Sequence, residues 1–509
     1  MAQRNLGQLD KAEAMARKLV RRGGQPNPRA LHLLGLIARD RGRIGRAVQL
    51  LRKASDAAPQ APDILCDLGN ALKQDGRHDE AVACHRAVAR LLPFSAPALS
   101  NLGVALSAAG QGGEAITHLA KSIELAPRDA AFRYNLGNAH LARGDAAAAE
   151  AAFRDALARA PGHVRAATNL GATLRRHGRV NEARDLLHTA VTAAPDDADA
   201  RWNLALAQLM AGDFDAGWKN YEARRAVAGF AVRHFDAPSW DGAALDGRTL
   251  LIHAEQGLGD CLQFCRYLHR LDGADGTVLF QAPERLVPLL APLFPEISVI
   301  GADRKPPRFD LHAPLMSLPH LTGPAAPFWP HEGAYLRAED ARIAHWRNRL
   351  GPSDGPTIAI AWQGNPDYET DTDRSAPLAA FAPLAEIAGI RLIALQQGVA
   401  QKQIAEVPWR DRILDLGDEI DADGAFLDSA AIMAIADAVV SIDTAALHLA
   451  GGLGYEAFAP LARVPDWRWG LDGEATGWYP SVTLFRQEKA GDWSAPFAQI
   501  ADRIASAKG

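Results

Sequence analysis

The sequence predicts an α-solenoid of repeated helix pairs, followed by an α/β region built from two parallel-sheet lobes. Glycine recurs every 34 residues from Gly42 to Gly212, a period that marks a stacked helix-pair array. From Thr249 onward, short β-rich runs alternate with helical stretches, which argues parallel strands joined by crossover helices. The formal charge also changes sign along the chain. Residues 1–230 hold 32 Lys and Arg against 23 Asp and Glu, and residues 231–509 hold 23 against 37. Such asymmetry suggests two modules with different partners.

Length and composition set the outer limits. The 509 residues allow roughly three domains at about 150 residues each, and 48% apolar with 23% charged residues is the composition of a globular protein. No stretch approaches the ~18 uncharged apolar residues of a membrane span. The N-terminus, MAQRNLGQLDKAEAM, lacks the apolar core of a signal peptide, so a cytoplasmic protein is expected. Four cysteines at uneven spacings fit neither a disulfide framework nor a zinc site. Cys261 and Cys265, four apart on one helix face, are expected in the core. The basic half lacks interleaved aromatics, which argues against nucleic acid and leaves a solvated face or an acidic protein partner.

Four residue series share the 34-residue step. Gly42, Gly76, Gly110, Gly144, Gly178 and Gly212 mark turns, and Pro59, Pro93, Pro127, Pro161 and Pro195 close second helices. Gly35, Gly69, Gly103, Gly137 and Gly171, with Ala47, Ala81, Ala115, Ala149 and Ala183, supply small residues where two helices cross. The pattern resembles the tetratricopeptide repeat. Five repeats run from about 28 to 197, and a degenerate sixth (198–231) carries Ala205 and Gly217 where glycine and alanine are expected. Residues 1–25 read as the second helix of an earlier repeat, so the sequence starts mid-unit and a longer natural N-terminus stays open. Such arrays usually bind protein in a concave groove. Asn101, Asn135, Asn169 and Asn203 also step by 34, with Asp67 one register earlier, on the helix that lines the groove in this family. A side-chain amide both donates and accepts, so the ladder suits the backbone of an extended acceptor peptide, as in the protein O-GlcNAc transferase family. The alternative is that these amides brace neighbouring helices.

Beyond the array, 232–350 reads as a linker and first lobe, and 351–509 as a second lobe. Strands are expected at 249–253, 277–283, 297–301, 356–362, 390–396 and 438–443, with helices at 260–271, 284–294 and near 427–436; 303–330 is proline-rich and irregular. Ligands in such folds bind where loops leave the strand ends. Four loops qualify. Gln256-Gly257-Leu258-Gly259-Asp260 brings glycine, which permits close backbone approach, to a helix N-terminus. Gln363-Gly364-Asn365 is followed by Asp373-Arg374-Ser375. Gln396-Gln397-Gly398 is the third, and the fourth runs from Ser441 through Asp443-Thr444-Ala445 to His448 and Gly451.

The fourth loop, SIDTAALHLAGGLG, resembles the donor loop of heptosyltransferase-like glycosyltransferases of the GT-B fold, which has two Rossmann-like lobes. WQGNPDYETDTDRSAPL, ALQQG and PDWRWGLDGEATGWYPSVTLFRQ extend the match, and with the repeats the chain resembles bacterial tetratricopeptide-repeat glycosyltransferases, some of which glycosylate flagellin. Two departures stand out. GLGYEAFAPLARV replaces the usual proline and hydrophobic strand, and the first lobe (249–335) is short. The resemblance implies an inverting, metal-independent transfer from a nucleotide-sugar to Ser or Thr of a protein, with no cofactor. It implies Asp260 as the base, against a helix-capping role. Gly257, Gly259, Gly364, Asn365, Arg374, Gln397, Asp443, Thr444, Ala445 and His448 would hold the donor. Arg374 would grip phosphate, against pairing with Asp371 or Asp373, and His448 is the residue most readily explained by packing. CMP-, UDP-, GDP- and ADP-sugars all remain open. Two alternatives are carried: a repeat-scaffold adaptor with a non-catalytic nucleotide-binding region, and a saccharide or glycolipid transferase.

Overall fold

The computed structural model describes residues 8–21, 27–230, 232–323, 333–367 and 371–506. Helix α1 (Leu9–Arg21) precedes five helix pairs: α2 (Pro28–Asp40) with α3 (Ile44–Ala57), α4 (Pro62–Gln74) with α5 (His78–Leu91), α6 (Ala96–Ala108) with α7 (Gly112–Leu125), α8 (Ala130–Ala142) with α9 (Ala146–Arg159), and α10 (Val164–Arg176) with α11 (Val180–Ala193). A sixth pair is α12 (Ala198–Met210) and the shorter α13 (Phe214–Tyr221). Asn27, Ser95, Asp129, Asp145 and Asp197 cap their helices by accepting backbone N–H groups, which satisfies donors the first turn leaves free. The turn glycines have φ between +71° and +81°, a region in which a side chain is strained.

The crossing glycines explain the period. A Cβ at Gly35, Gly69, Gly103, Gly137 or Gly171 would lie 2.4–2.6 Å from Leu51, His85, Leu119, Phe153 or Leu187. Each neighbour is sixteen residues on, in the second helix of the same repeat. In the sixth repeat the close approach changes sides: a Cβ at Gly217 would meet Leu209 at 2.7 Å. The Ala205–Gly217 exchange is therefore a mirror of the usual pair.

The chain divides into two compact units. One holds residues up to Leu174 with Asp185–Pro195, and the other holds Arg175–Arg184 with everything from Asp196. The repeat period places a boundary at 231, but the packing joins the sixth repeat to the α/β region. Arg224, fully buried just after α13, ion-pairs with Glu255 and Glu222 and donates to Ser317 Oγ at 2.9 Å. Trp218 of α13 meets Tyr221, Phe264 and Trp467 at 5.1–5.4 Å, all edge-on.

Both sheets are parallel. The first has the order β3-β2-β1-β4, formed by β1 (Thr249–His253), β2 (Thr277–Ala282), β3 (Ser298–Gly301) and β4 (Leu311–Pro314). The second is β10-β9-β8-β5-β6-β7, from β5 (Thr357–Ala361), β6 (Arg391–Ala394), β7 (Ile413–Asp415), β8 (Ala438–Ser441), β9 (Ala457–Leu461) and β10 (Val482–Arg486). Strand order reverses beside β1 in the first sheet and between β5 and β8 in the second, the doubly wound arrangement. The named helices here are α14 (Leu258–Phe264), α15 (Asp340–Leu350), α16 (Leu427–Met433), α17 (Ala445–Leu453) and α18 (Ser494–Ser506).

Several local expectations change. β4 lies inside the stretch expected to be irregular (residues 324–330 of it lie outside the described residues), and β7, β9 and β10 were not anticipated. The helix expected at 260–271 begins at Leu258 and tightens to 3-10 geometry from Cys265. The helix expected at 284–294 is a chain of single turns, because Pro288 and Pro292 each remove a backbone donor. Cys261 and Cys265 are buried in the core.

Candidate functional site

The loops flanking the strand-order reversals converge. The loop after β5 carries Gly364 and Arg374, the loop after β8 carries Asp443 and Thr444, and the loop after β1 carries Gly257, Gly259 and Asp260. Helices α14 and α17 approach so closely that a Cβ at Gly259 would lie 3.1 Å from the His448 ring and 3.3 Å from Ala445 Cα. A side chain at 259 would therefore crowd the approach of one lobe to the other. Gly257 is the residue before α14, in extended backbone.

Asp260 has both carboxylate oxygens engaged. Oδ2 accepts the Gly257 N–H at 2.9 Å, closing the first turn of α14, and Oδ1 is ion-paired with Arg468. Arg468, which the sequence reading did not single out, is the hub of the site. It donates to Gln263 Oε1 at 2.6 Å and to Asp466 Oδ1 at 2.8 Å, and its guanidinium lies 4.5 Å from the Trp467 ring centroid. Burial opposes its charge, and Asp466 and Asp260 more than restore it, so its pKa rises. The stretch PDWRWG carried the signal, and the sequence alone uses it only as part of the resemblance.

Asp443 is buried at the end of β8, and its carboxyl is pushed up to about 6. Loss of water is the main cause and the Asp466 charge the second, with Arg374, Trp469 and Arg468 opposing the rise. Thr444 begins α17 and its hydroxyl shares a 3.0 Å hydrogen bond with Ser441 Oγ; Ala445 follows as the first helical residue. His448 is buried, hydrogen-bonded through Nδ1 to Tyr479 Oη at 2.8 Å and stacked on Trp469 at 5.5 Å. Burial, with Arg468, Arg266 and Arg374 adding to it, holds its pKa well down. His448 is thus held in place by Tyr479 and Trp469 inside the fold.

Arg374 donates through Nε to Asp371 Oδ1 at 3.0 Å and remains partly exposed. Gly364 lies under this pair: a Cβ there would be 2.2 Å from Asp371 Oδ1. Its N–H donates to Ser375 Oγ at 3.1 Å. Asn365 and Gln397 are exposed. Asn365 accepts the Asp367 N–H in a local turn, and Gln397 donates to the Ile420 carbonyl at 3.0 Å. Arg266 ties the lobes together. Though buried, it donates to the Trp478 carbonyl and Tyr335 Oη, both at 2.9 Å, and lies 4.8 Å from the Tyr479 ring centroid.

The asparagine ladder is partly used inside the fold. Asn101 Nδ2 contacts Cys66 Sγ at 3.3 Å, Asn135 donates to Ser100 Oγ at 2.9 Å and Asn169 donates to Asn138 Oδ1 at 2.7 Å. These three link the first helices of successive repeats, so the bracing alternative describes their donors. Asn203 instead donates to the Asp199 carbonyl of its own helix. Asp67 pairs with His32 and Arg39.

Fold and site together define a tetratricopeptide-repeat solenoid followed by two Rossmann-like α/β lobes. Two tetratricopeptide-repeat families match, one over residues 140–208 and 174–217, the other over 1–62, 66–130 and 106–164. Protein FlbA of Caulobacter vibrioides is 29% identical over 326 residues, covering 58% of this chain and 53% of FlbA. The chain thus spans about half the length of that curated relative. Neither the repeats (231 residues) nor the remainder (278 residues) alone makes up 58% of the chain, so the match includes parts of both. Among solved structures, the APC/C hetero-tetramer Cut9–Hcn1 is 20% identical, over 44% of this chain and 45% of that one, with a TM-score of 0.38. A thermophilic tetratricopeptide-repeat protein of Thermus thermophilus is 24% identical, over 36% and 100%, with a TM-score of 0.33. Among the described residues no helix is long and apolar enough to cross a membrane.

Proposed function

We propose that the chain is a glycosyltransferase that moves a sugar from a nucleotide-sugar to Ser or Thr of a protein held by the repeats. One observation carries this reading: the loops after β5 and β8 flank the strand-order reversal of the second sheet and face the Gly257–Asp260 turn of the first. A crevice at such a reversal is where doubly wound sheets take nucleotides. The α17 N-terminus offers free N–H groups there, and Arg374 supplies charge for a leaving phosphate. The acceptor hydroxyl loses its proton to Asp260 as the sugar–phosphate bond breaks. Arg468 fixes that carboxylate in place, and position compensates for weak basicity. A second reading gives the proton to Asp443, because a carboxyl near 6 is the better match to neutral pH. Flagellin as the acceptor belongs to this proposal, since bacterial enzymes of the resembling family act on it.

The test is calorimetric titration of the purified chain with CMP, UDP, GDP and ADP, beside Arg374→Ala. Saturable binding of one nucleotide, weakened about tenfold or more in the variant, is expected, for a lost charge-assisted contact worth roughly 1.5–3 kcal/mol. Binding of none of the four, checked by a second method, would sink the transferase and leave the repeats as a protein-binding scaffold. With a donor in hand, Asp260→Asn should abolish transfer and spare nucleotide binding. Unchanged turnover in that variant would move the base to Asp443.

A further inference from the structure

Beside the β4 edge of the first lobe opens a cleft of about 530 Å3, separate from the loops described above. Its wall includes Arg201 of α12, Arg225, Arg233, His234, Phe235 and His312. Glu222 is the one carboxylate in that wall, and it is held by Arg224 at 2.8 Å. Arg201, Arg225 and Arg233 are each half-buried, and none has a carboxylate partner among the described residues. Arg225 donates only to Ser239 Oγ, at 3.3 Å, and Arg233 lies over the Phe235 ring at 5.1 Å.

Behind the arginines lie two buried imidazoles. His312 is 5% exposed and its Nδ1 has no hydrogen-bond partner; His253 is 4% exposed and neither of its ring nitrogens has one. Their rings stand 5.6 Å apart, with Phe235 4.7 Å from the first and 5.2 Å from the second. Buried polar atoms are almost always paired. Three partly desolvated cations sharing one cleft repel one another until a counter-charge arrives. Phe235, Val232 and the neighbouring alanines make part of the wall apolar, which suits a side chain with methylenes better than a bare hydrated ion. Arg201 precedes Asn203 by two residues on the first helix of the last repeat, the helix type that lines the groove in this repeat family.

We propose that this cleft is a carboxylate-binding site for an acidic peptide, with Arg201, Arg225 and Arg233 as its cationic wall. It rests on the reading that the acceptor is a protein, and it names a feature of that acceptor: an Asp or Glu anchored in the cleft. A glutamate would lay its methylenes on Phe235 and present its oxygens to the guanidiniums, which bind carboxylate bidentately.

The probe is hexaglutamate, titrated into the full chain beside hexaglutamine and inorganic pyrophosphate. Hexaglutamate should bind, hexaglutamine should not, and Arg225→Gln/Arg233→Gln should weaken binding at least tenfold. Lys53→Gln/Arg90→Gln, an equal charge loss on exposed array positions, should leave it within twofold. Equal weakening in both double variants would overturn the site in favour of general basic charge. Binding of pyrophosphate without hexaglutamate would overturn the peptide in favour of a phosphate ligand. A wild-type readout guards against a misfolded variant: the His312 imidazole resonances should move on hexaglutamate addition, and stationary resonances would count against the proposal. Nucleotide binding without hexaglutamate binding removes the cleft alone. The converse removes the transferase and leaves the cleft.

Discussion

Asp443 sits at the end of β8 with its carboxyl pushed up to about 6 by burial and by Asp466. Its folded value lies above the ordinary 3.8, so the folded chain holds the proton more tightly than the unfolded one. The stability this supports is full below about pH 4 and is lost as pH rises through 6. Asp443→Asn removes the ionisation. Its advantage over wild type should therefore grow between pH 4 and 6.5 and level off at about 3 kcal/mol, read from urea midpoints. A pH-independent difference would mean that the carboxyl is not desolvated as described. At the same scale, Asn135→Ala removes the donor to Ser100 and should cost about 1 kcal/mol; unaltered stability would return the ladder to peptide binding alone. Asp260 was legible in the sequence because a G-x-G-D turn is local. Arg468 was not, since its partner lies 208 residues away and only the sheet topology brings them together.

Between elements, the repeat crossings set the tolerance for change. Gly137→Ala places a methyl against Phe153 and should cost roughly 1–3 kcal/mol through overpacking. Gly113→Ala, in the first turn of α7 where nothing lies within 4 Å, should gain up to about 1 kcal/mol. Urea unfolding of the two variants checks the pair, and a matching sign would refute the crossing account. The helices were legible because five copies of one pattern average out local accidents. The strands β4, β7, β9 and β10 were not: β4 follows a proline-rich run, Pro460 sits inside β9, and all four are recognisable only by their pairing. Pro288 and Pro292 should have been read as breaks in the expected helix, since the proline rule is purely local.

For the whole molecule, the packing boundary matters more than the repeat boundary. A chain of residues 164–509 keeps both segments of the C-terminal unit and should give a monomeric, cooperatively melting protein. A chain of 232–509 strips Trp218 and Tyr221 from Phe264 and Trp467 and removes the Arg224 partner of Glu255. It should aggregate or melt without cooperativity. Size-exclusion and thermal circular dichroism distinguish them, and equal behaviour would show that the sixth repeat is dispensable to the lobes.

The aromatic closure around Trp218 has one more consequence. A repeat array buries each unit on the next and needs a different surface where it stops. Here an α/β lobe takes the place of that terminal cap. Whole 34-residue periods can then be gained or lost farther up the chain without disturbing the closure. The lobes act as the fixed zero of a ruler whose length is set by the periods above it.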